Sequence, residues 1–343
     1  MLTYSYKTIN SDFRVTEIIN LILDGGDYHY YIMRKKGYKT VDVLDIIAAE
    51  KNLEIADISY AGLKDEDAIT TQYIAVKDKK IENLSRADGE QDFSISYVGS
   101  AAVPMQIGKL QGNSFRIRLR NLDLNVAEKI CAKEKHAFSV INYFDTQRFG
   151  MPELPKLSHK IGESLLVKDY DLAFRYLRDS GNIDEIVYKK WESSPEEYIR
   201  VMEIRRKTFF LSAYDSFIWN NNIAKAIGDD CDKKIIFNKE GIDFTYVSLI
   251  DDKIRNILNK SDIVWHRYDE NSYIYEKKSF RQPYLEVLYH ASEILPDDIN
   301  TDRNMVDIDF ILPAGVYATN VIDQIMCVIE NEYDTKDTQT RAL

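Results

Sequence analysis

The chain has 343 residues, 45% hydrophobic and 29% charged, a balance in the globular range and a length that predicts two compact domains rather than one small core. A net charge of −11 excludes a protein that coats nucleic acid through a general positive field, so any contact with a polyanion must rest on local basic groups. No run reaches the roughly 18 apolar residues of a membrane span, and the opening MLTYSYKTINSDFRVTE lacks the basic and apolar regions of a leader, which together predict a cytoplasmic protein without membrane contact.

In chain order, Asp12 to Ile19 alternates as a strand with Phe13, Val15 and Glu17 on one side, where the acid among apolar neighbours is out of place. LDGGDYHYYIMRKKG follows. Gly25 and Gly26 permit positive φ and Tyr28 to Met33 is rich in strand formers, so a hairpin is expected. No GxGxxG or GxxxxGK spacing surrounds the glycine pair, which makes it a weak phosphate cradle. Thr40 stands where a helix N-cap belongs, and Val41, Leu44, Ile47 and Ala48 recur at helical spacing through Lys51. Strands are expected at Ile69 to Val76 and Phe115 to Leu119, and a helix from Leu124 to Lys135 with Leu124, Ala127, Ile130 and Cys131 inward.

The first 150 residues thus read as a mixed α+β unit. MPELPKLSHK, with two of the seven prolines, reads as a linker. Helical periodicity then dominates from Ile161 to Tyr289, apart from a strand-like passage at Ile235 to Leu249. Val306 to Ile311 restores a strand, Pro313 and Gly315 a turn, and Val316 to Ile329 a last helix.

Cys131, Cys231 and Cys327 are too scattered for a disulfide framework or a metal knuckle and read as buried thiols. His29, His136, His159, His266 and His290 form no HxH or HxxxH pair, so a metal centre is not expected. Local basic groups exist at Lys35 and Lys36, at Arg116, Arg118 and Arg120, at Arg205, Arg206 and Lys207, and at Lys277, Lys278 and Arg281; each alone also reads as a solvated face.

Chemistry concentrates in Ser59-Tyr60-Ala61-Gly62-Leu63-Lys64-Asp65-Glu66-Asp67-Ala68, where a glycine-bearing loop sets three acids beside a lysine. A solvated turn is the plainer reading of such a run. A reactive carboxylate among like charges needs a cation to stay ionised, and Lys64 or Lys7 can supply it. Ile141-Asn142-Tyr143-Phe144-Asp145-Thr146-Gln147-Arg148-Phe149-Gly150 mixes amides, rings and an arginine, which suits either a pocket that stacks and reads a planar base or an aromatic core strand ending in a turn. In Phe310-Ile311-Leu312-Pro313-Ala314-Gly315-Val316-Tyr317-Ala318-Thr319 the tyrosine, taken alone, reads as core.

SDFRVTE near the start, YAGLKDEDAITTQY and NYFDTQRFG together resemble, in order and spacing, the signature segments of the TruD pseudouridine synthases, with weaker agreement in GKLQGNSFRIRLR, KTFFLSAYDSFIWN and FILPAGVYAT. The resemblance implies Asp65 as the catalytic aspartate, Phe13, Asn142 and Tyr317 as contacts of the target nucleotide, Phe144 as a further pocket ring, and Lys7 and Glu17 as charged supports. It also implies an α+β pseudouridine synthase fold, a mixed and mainly antiparallel sheet flanked by helices. The catalytic domain would be discontinuous, 1–150 plus 305–343, around an inserted α/β TRUD domain at 151–304. Two departures bear on loop geometry: Ile141 stands where the family has proline, and Asp145 where it has glycine.

The activity so implied is isomerisation of a flipped-out uridine of RNA, uridine 13 of tRNA by the resemblance, with no cofactor and no metal, by a monomer whose partner is tRNA. A cleft between the domains, lined by Arg116, Arg118, Lys35 and Arg205, is expected to grip the RNA backbone. Three other readings stand beside this one: the same chemistry on a different RNA, a noncatalytic RNA-binding or tRNA-folding protein on the same scaffold, and a carboxylate- or metal-dependent hydrolase built on Asp65 with Glu66 or Asp67. The last is disfavoured because neighbours in an extended loop point apart.

Overall fold

The structure is a computed structural model that describes residues 3–106, 110–133, 137–230, 234–247, 249–259 and 262–340. His136, Cys231 and the first residues of GKLQGNSFRIRLR, Gly108 and Lys109, lie outside the described residues.

Contacts divide the chain into two compact units, Met1–Phe138 with Val287–Val316 and Ser139–Glu286 with Tyr317–Leu343. Elements run in the order β1 (Phe13–Ile18), β2 (Tyr28–Lys36), α1 (Thr40–Lys51), β3 (Ile58–Tyr60), β4 (Ile69–Lys77), β5 (Leu84–Asp88), β6 (Gln91–Ala101), β7 (Gly112–Leu122), α2 (Leu124–Ala132) and β8 (Ala137–Ile141). The helices α3 (Ser158–Leu166), α4 (Tyr170–Asp179), α5 (Glu185–Trp191), α6 (Pro195–Val201) and α7 (Ile204–Asp230) follow. Then come β9 (Lys234–Lys239), β10 (Ile242–Val247), α8 (Asp252–Leu258), β11 (Asp262–Tyr268), β12 (Ile274–Phe280), β13 (Tyr284–Ala291), β14 (Leu295–Pro296), β15 (Asn304–Pro313) and α9 (Ala318–Thr340).

The large sheet has the order β5-β6-β2-β4-β1-β7-β15-β13-β8, with β3 on β4 and β14 on β15. β1 and β4 are parallel, while β2, β6, β5, β7 and β15 pair antiparallel with their neighbours, so the α+β reading with a mixed, mainly antiparallel sheet holds. The expected hairpin does not form, because β4 lies between β1 and β2 and pairs with both. Gly25 and Gly26 do take positive φ, at 92° and 128°, and a Cβ on Gly26 would meet the Ala101 backbone at 2.7 Å. β5 and β6 form where the sequence predicts no strand.

On β1 the alternation is as read: Phe13, Val15 and Glu17 are buried. In α1 the buried stripe is Val43, Leu44, Ile47 and Ala48, and Val41 is exposed; in α2, Val126, Ala127 and Ile130 are buried and Leu124 is exposed. Core in this unit gathers where α1 covers the β2, β4 and β6 face, around Tyr31, Met33, Leu44, Ile47, Ile74, Phe93 and Ile95.

The second unit has its own cores, one inside the α3, α4, α6 and α7 helices around Phe174, Leu177 and Phe210, another around Tyr143, Phe144, Trp219, Phe244 and Tyr246. The strand-like passage at Ile235 to Leu249 is the antiparallel ribbon β9–β10, as expected, whereas β11–β12, a second antiparallel ribbon, and β13 stand where helical periodicity was expected to continue to Tyr289. The packing units do not coincide with the expected domains. The last helix groups with the second unit because Gln324 donates to and accepts from the Ile141 main chain, at 2.8 Å each way, and Cys327 joins the Tyr143 core.

Candidate active site

Topology decides where the acidic loop lies. Because β4 runs parallel to β1 and antiparallel to β2, the residues entering β4 meet the start of β1 and the end of β2: Arg14 pairs with Ile69, and Lys35 with Thr70. The loop carrying Asp65 therefore sits at one end of the central strands.

Asp65 Oδ2 accepts a hydrogen bond from Lys7 Nζ at 2.7 Å, with the two side chains 41% and 23% exposed. Lys7 has φ 63° and its ammonium lies 4.3 Å from the Phe13 ring centre, a cation–π contact. Of the two cations considered for Asp65, Lys7 is thus its partner. Lys64 turns to Glu17 at 3.0 Å and to Asn113 Oδ1 at 3.0 Å. Glu17 also accepts the Tyr73 N–H at 2.9 Å, beyond the last β1–β4 register pair, Thr16 with Thr71. That explains an acid on an apolar face: its carboxylate is buried but takes an ammonium and a ladder N–H.

Thr40 is not an N-cap; Lys39 occupies that position, and the Thr40 hydroxyl donates to Gln72 Oε1 at 3.0 Å while accepting the Lys64 N–H at 3.0 Å. Gln72 Nε2 in turn donates to the Gly62 carbonyl at 3.2 Å. Thr40 and Gln72 thereby brace the loop from below, a role no periodicity reveals, although Gln72 stands in the quoted TTQY. Lys35 is fully buried and donates to the Asp65 main-chain carbonyl at 2.6 Å.

Lys35 therefore cannot line an RNA-gripping surface. Arg116 pairs with Asp309 at 2.7 Å, Arg118 binds Asp307 through two bonds at 2.6 and 3.0 Å, and Arg120 is buried against Asp12 and Asp297. In the other basic groups Lys207 is buried beneath Tyr268, whereas Arg205, Lys277 and Lys278 are exposed.

In the second unit, Asn142 is buried at the end of β8; Arg281 donates to its Oδ1 at 2.8 Å and to its carbonyl at 2.9 Å, and its Nδ2 donates to the Gln282 carbonyl at 2.8 Å. These bonds fix which end of the amide is donor and which acceptor, and leave one N–H and one lone pair of the side chain. The Arg281 guanidinium lies 3.8 Å from the Phe144 ring centre, and Phe144 meets Trp219, Trp265 and Tyr317 edge-on at 5.7, 6.0 and 6.3 Å. Burial lowers Arg281 to about 10 and raises the Tyr317 phenol above its ordinary value.

Both departures from the family pattern have a structural use. Gln324 needs an N–H at Ile141, which proline lacks. Asp145 caps Thr146 N–H at 2.7 Å, pairs with Lys239 at 3.0 Å and accepts from Thr319.

The site residues thus fall into two groups: Lys7, Phe13, Glu17 and Asp65 in the first unit, and Asn142, Phe144 and Tyr317 in the second. Phe13 is 3% exposed and packs edge-on against Phe115 at 6.0 Å. Among the described residues no cluster of three metal-binding side chains occurs, and no helix is long and apolar enough to cross a membrane.

The fold places the chain in a structural class. It is shared, at a TM-score of 0.59 and 19% identity over 95% of this chain and 94% of the other, with the crystal structure of a putative tRNA pseudouridine synthase D from Methanosarcina mazei. The chain is also 24% identical to a probable tRNA pseudouridine synthase D of Methanococcus maripaludis, over 94% of this chain and all of that one. The Aquifex aeolicus tRNA pseudouridine synthase D is likewise 24% identical, with 92% and 96% covered. A family model described as tRNA pseudouridine synthase D (TruD) matches residues 4–185, and the chain belongs to that family of isomerases.

Proposed function

We propose that the protein isomerises uridine to pseudouridine in tRNA, at uridine 13, with Asp65 as the reacting carboxylate. The reaction breaks the bond from N1 of uracil to C1′ of ribose, turns the base and joins C5 to C1′, while a proton leaves C5 and one is taken up at N1. Atoms and oxidation state balance within the substrate, so no cofactor is required. Asp65 acts either as a nucleophile on the nucleotide or as the base that accepts a ribose proton on the way to a glycal.

The observation that carries this reading, beside family membership, is the Lys7–Asp65 contact of 2.7 Å on a braced, partly exposed loop. An adjacent ammonium favours the ionised carboxylate either role demands. Glu17 supports by holding Lys64 away from Asp65. The target uridine must leave its stack, and Phe13, Phe144 and Tyr317 are the rings proposed to replace that stacking, at roughly 1–3 kcal/mol per base. The remaining amide valences of Asn142 suit the donor–acceptor edge of uracil. We further propose that residues 1–150 and 305–343 form a discontinuous catalytic domain around an inserted 151–304; the pairing of β15 with β7 supports the return of the chain to the first sheet, while α9 packs within the second unit.

The test is incubation of purified protein with unmodified tRNA transcripts, followed by carbodiimide mapping of pseudouridine. Wild type should modify uridine 13 and Asp65→Asn nothing, with unchanged circular dichroism. Tight tRNA binding without modification by wild type would favour the noncatalytic reading instead, and modification at another site would redirect the substrate assignment.

A further inference from the structure

Lys35 has a buried ammonium that the chemistry above does not use. It lies on a central strand of the sheet, its β4 and β6 register partners are the untitratable Thr70 and Phe93, and its hydrogen bond goes to the Asp65 carbonyl at 2.6 Å. Taking an ammonium out of water costs several kcal/mol, and a single carbonyl does not offset that, so an apolar side chain would serve the core better. Thr40 and Gln72 hold the loop through Lys64 and Gly62, whereas Lys35 grips the peptide of Asp65 itself.

We propose that Lys35 is a positioning residue for Asp65: its ammonium fixes the Asp65 main chain so that the carboxylate meets Lys7 and the substrate, and isomerisation requires Lys35 protonated. This rests on Asp65 being the reacting group. The charged groups facing Lys35 are Asp65, Glu66 and Asp67, which favour the ammonium, and Lys64, which opposes it. Burial outweighs them and lowers Lys35 to about 8. Above that pH the folded protein holds a neutral amine while the unfolded chain is still protonated up to its ordinary value near 10.5, so folding stability rises with pH across this window. Activity and stability therefore diverge: the rate falls where the fold strengthens.

Single-turnover rates on a tRNA transcript, measured from pH 6 to 10 with melting temperatures alongside, test this. Wild type should lose rate with a midpoint near pH 8 and no fall in melting temperature. Lys35→Arg, whose guanidinium stays charged, should retain activity past that midpoint. Lys35→Met should be slowed by about 10- to 100-fold at neutral pH, the order expected for a misplaced reacting group, with tRNA affinity within about threefold. A wild-type rate flat through pH 9, a rate loss that tracks thermal unfolding, or the same midpoint in a folded variant would each overturn the inference. If Asp65→Asn stays active, the reading beneath it fails; if that variant is dead and Lys35→Met matches wild type, only the role of Lys35 fails.

Discussion

Replacing Arg120 by methionine is predicted to remove a large part of the protein's stability. The Arg120 Nε donates to both Asp12 oxygens at 2.9 Å and Nη1 to Asp297 at 2.9 Å and to Asp298, and the side chains of Arg120, Asp12 and Asp297 have no exposed surface. The three acids would fare differently without the guanidinium. Asp298 is 64% exposed and would turn to water. For Asp297, burial alone would raise the carboxyl, but the Asn121 N–H, the Asn300 side chain and the Ile299 and Asn300 N–H groups more than offset it and hold the group below the ordinary carboxylate range, and these donors remain in the variant. Asp12 keeps only the Ile9 N–H at 3.1 Å among its described hydrogen bonds, so the cost falls there. An uncompensated buried charge costs about 3–5 kcal/mol, against a total of roughly 5–15 kcal/mol for a typical domain. Urea unfolding followed by circular dichroism should report that loss, and adding Asp12→Asn should restore at least about half of it, because the residual charge is removed. A loss under about 1 kcal/mol, or no recovery in the double variant, would refute the assignment of the cost to Asp12. Activity should suffer as well, since the main chains of Ser5 and Arg120 exchange bonds of 2.8 and 3.1 Å that tether the arm bearing Lys7.

Two further outcomes are expected. Lys7→Met breaks a partly exposed ion pair, so stability should change by less than about 1 kcal/mol while single-turnover pseudouridine formation falls at least tenfold, about 1.4 kcal/mol of barrier; Lys7→Arg should recover part of the rate, and equal rates would exclude Lys7 as the charge partner. His159 is buried and stacked on Phe217 at 4.1 Å, and burial lowers it to about 4. As pH drops from 6.5 towards 4 the unfolded chain takes up a proton that the folded protein refuses, so stability should decline across that window by up to roughly 3 kcal/mol. Unfolding free energies of wild type and His159→Phe should diverge as pH falls; parallel curves would count against a neutral buried ring.

Much was legible in the sequence by itself. Period-two alternation put Phe13, Val15 and Glu17 on one buried face, the segments around Asp65 and Asn142 carried the family likeness, and the class of fold followed. These are local properties, set by the pitch of a strand and by residue order. Only the tertiary structure decided which charges meet. It set β4 between β1 and β2, gave Lys7 rather than Lys64 to Asp65, turned the Thr40 hydroxyl from a helix cap to a loop brace, and buried Lys35 and Arg120 where a run of basic residues suggested a surface for RNA. Each of those contacts joins residues far apart in the chain, and its energy depends on a burial that no spacing rule contains.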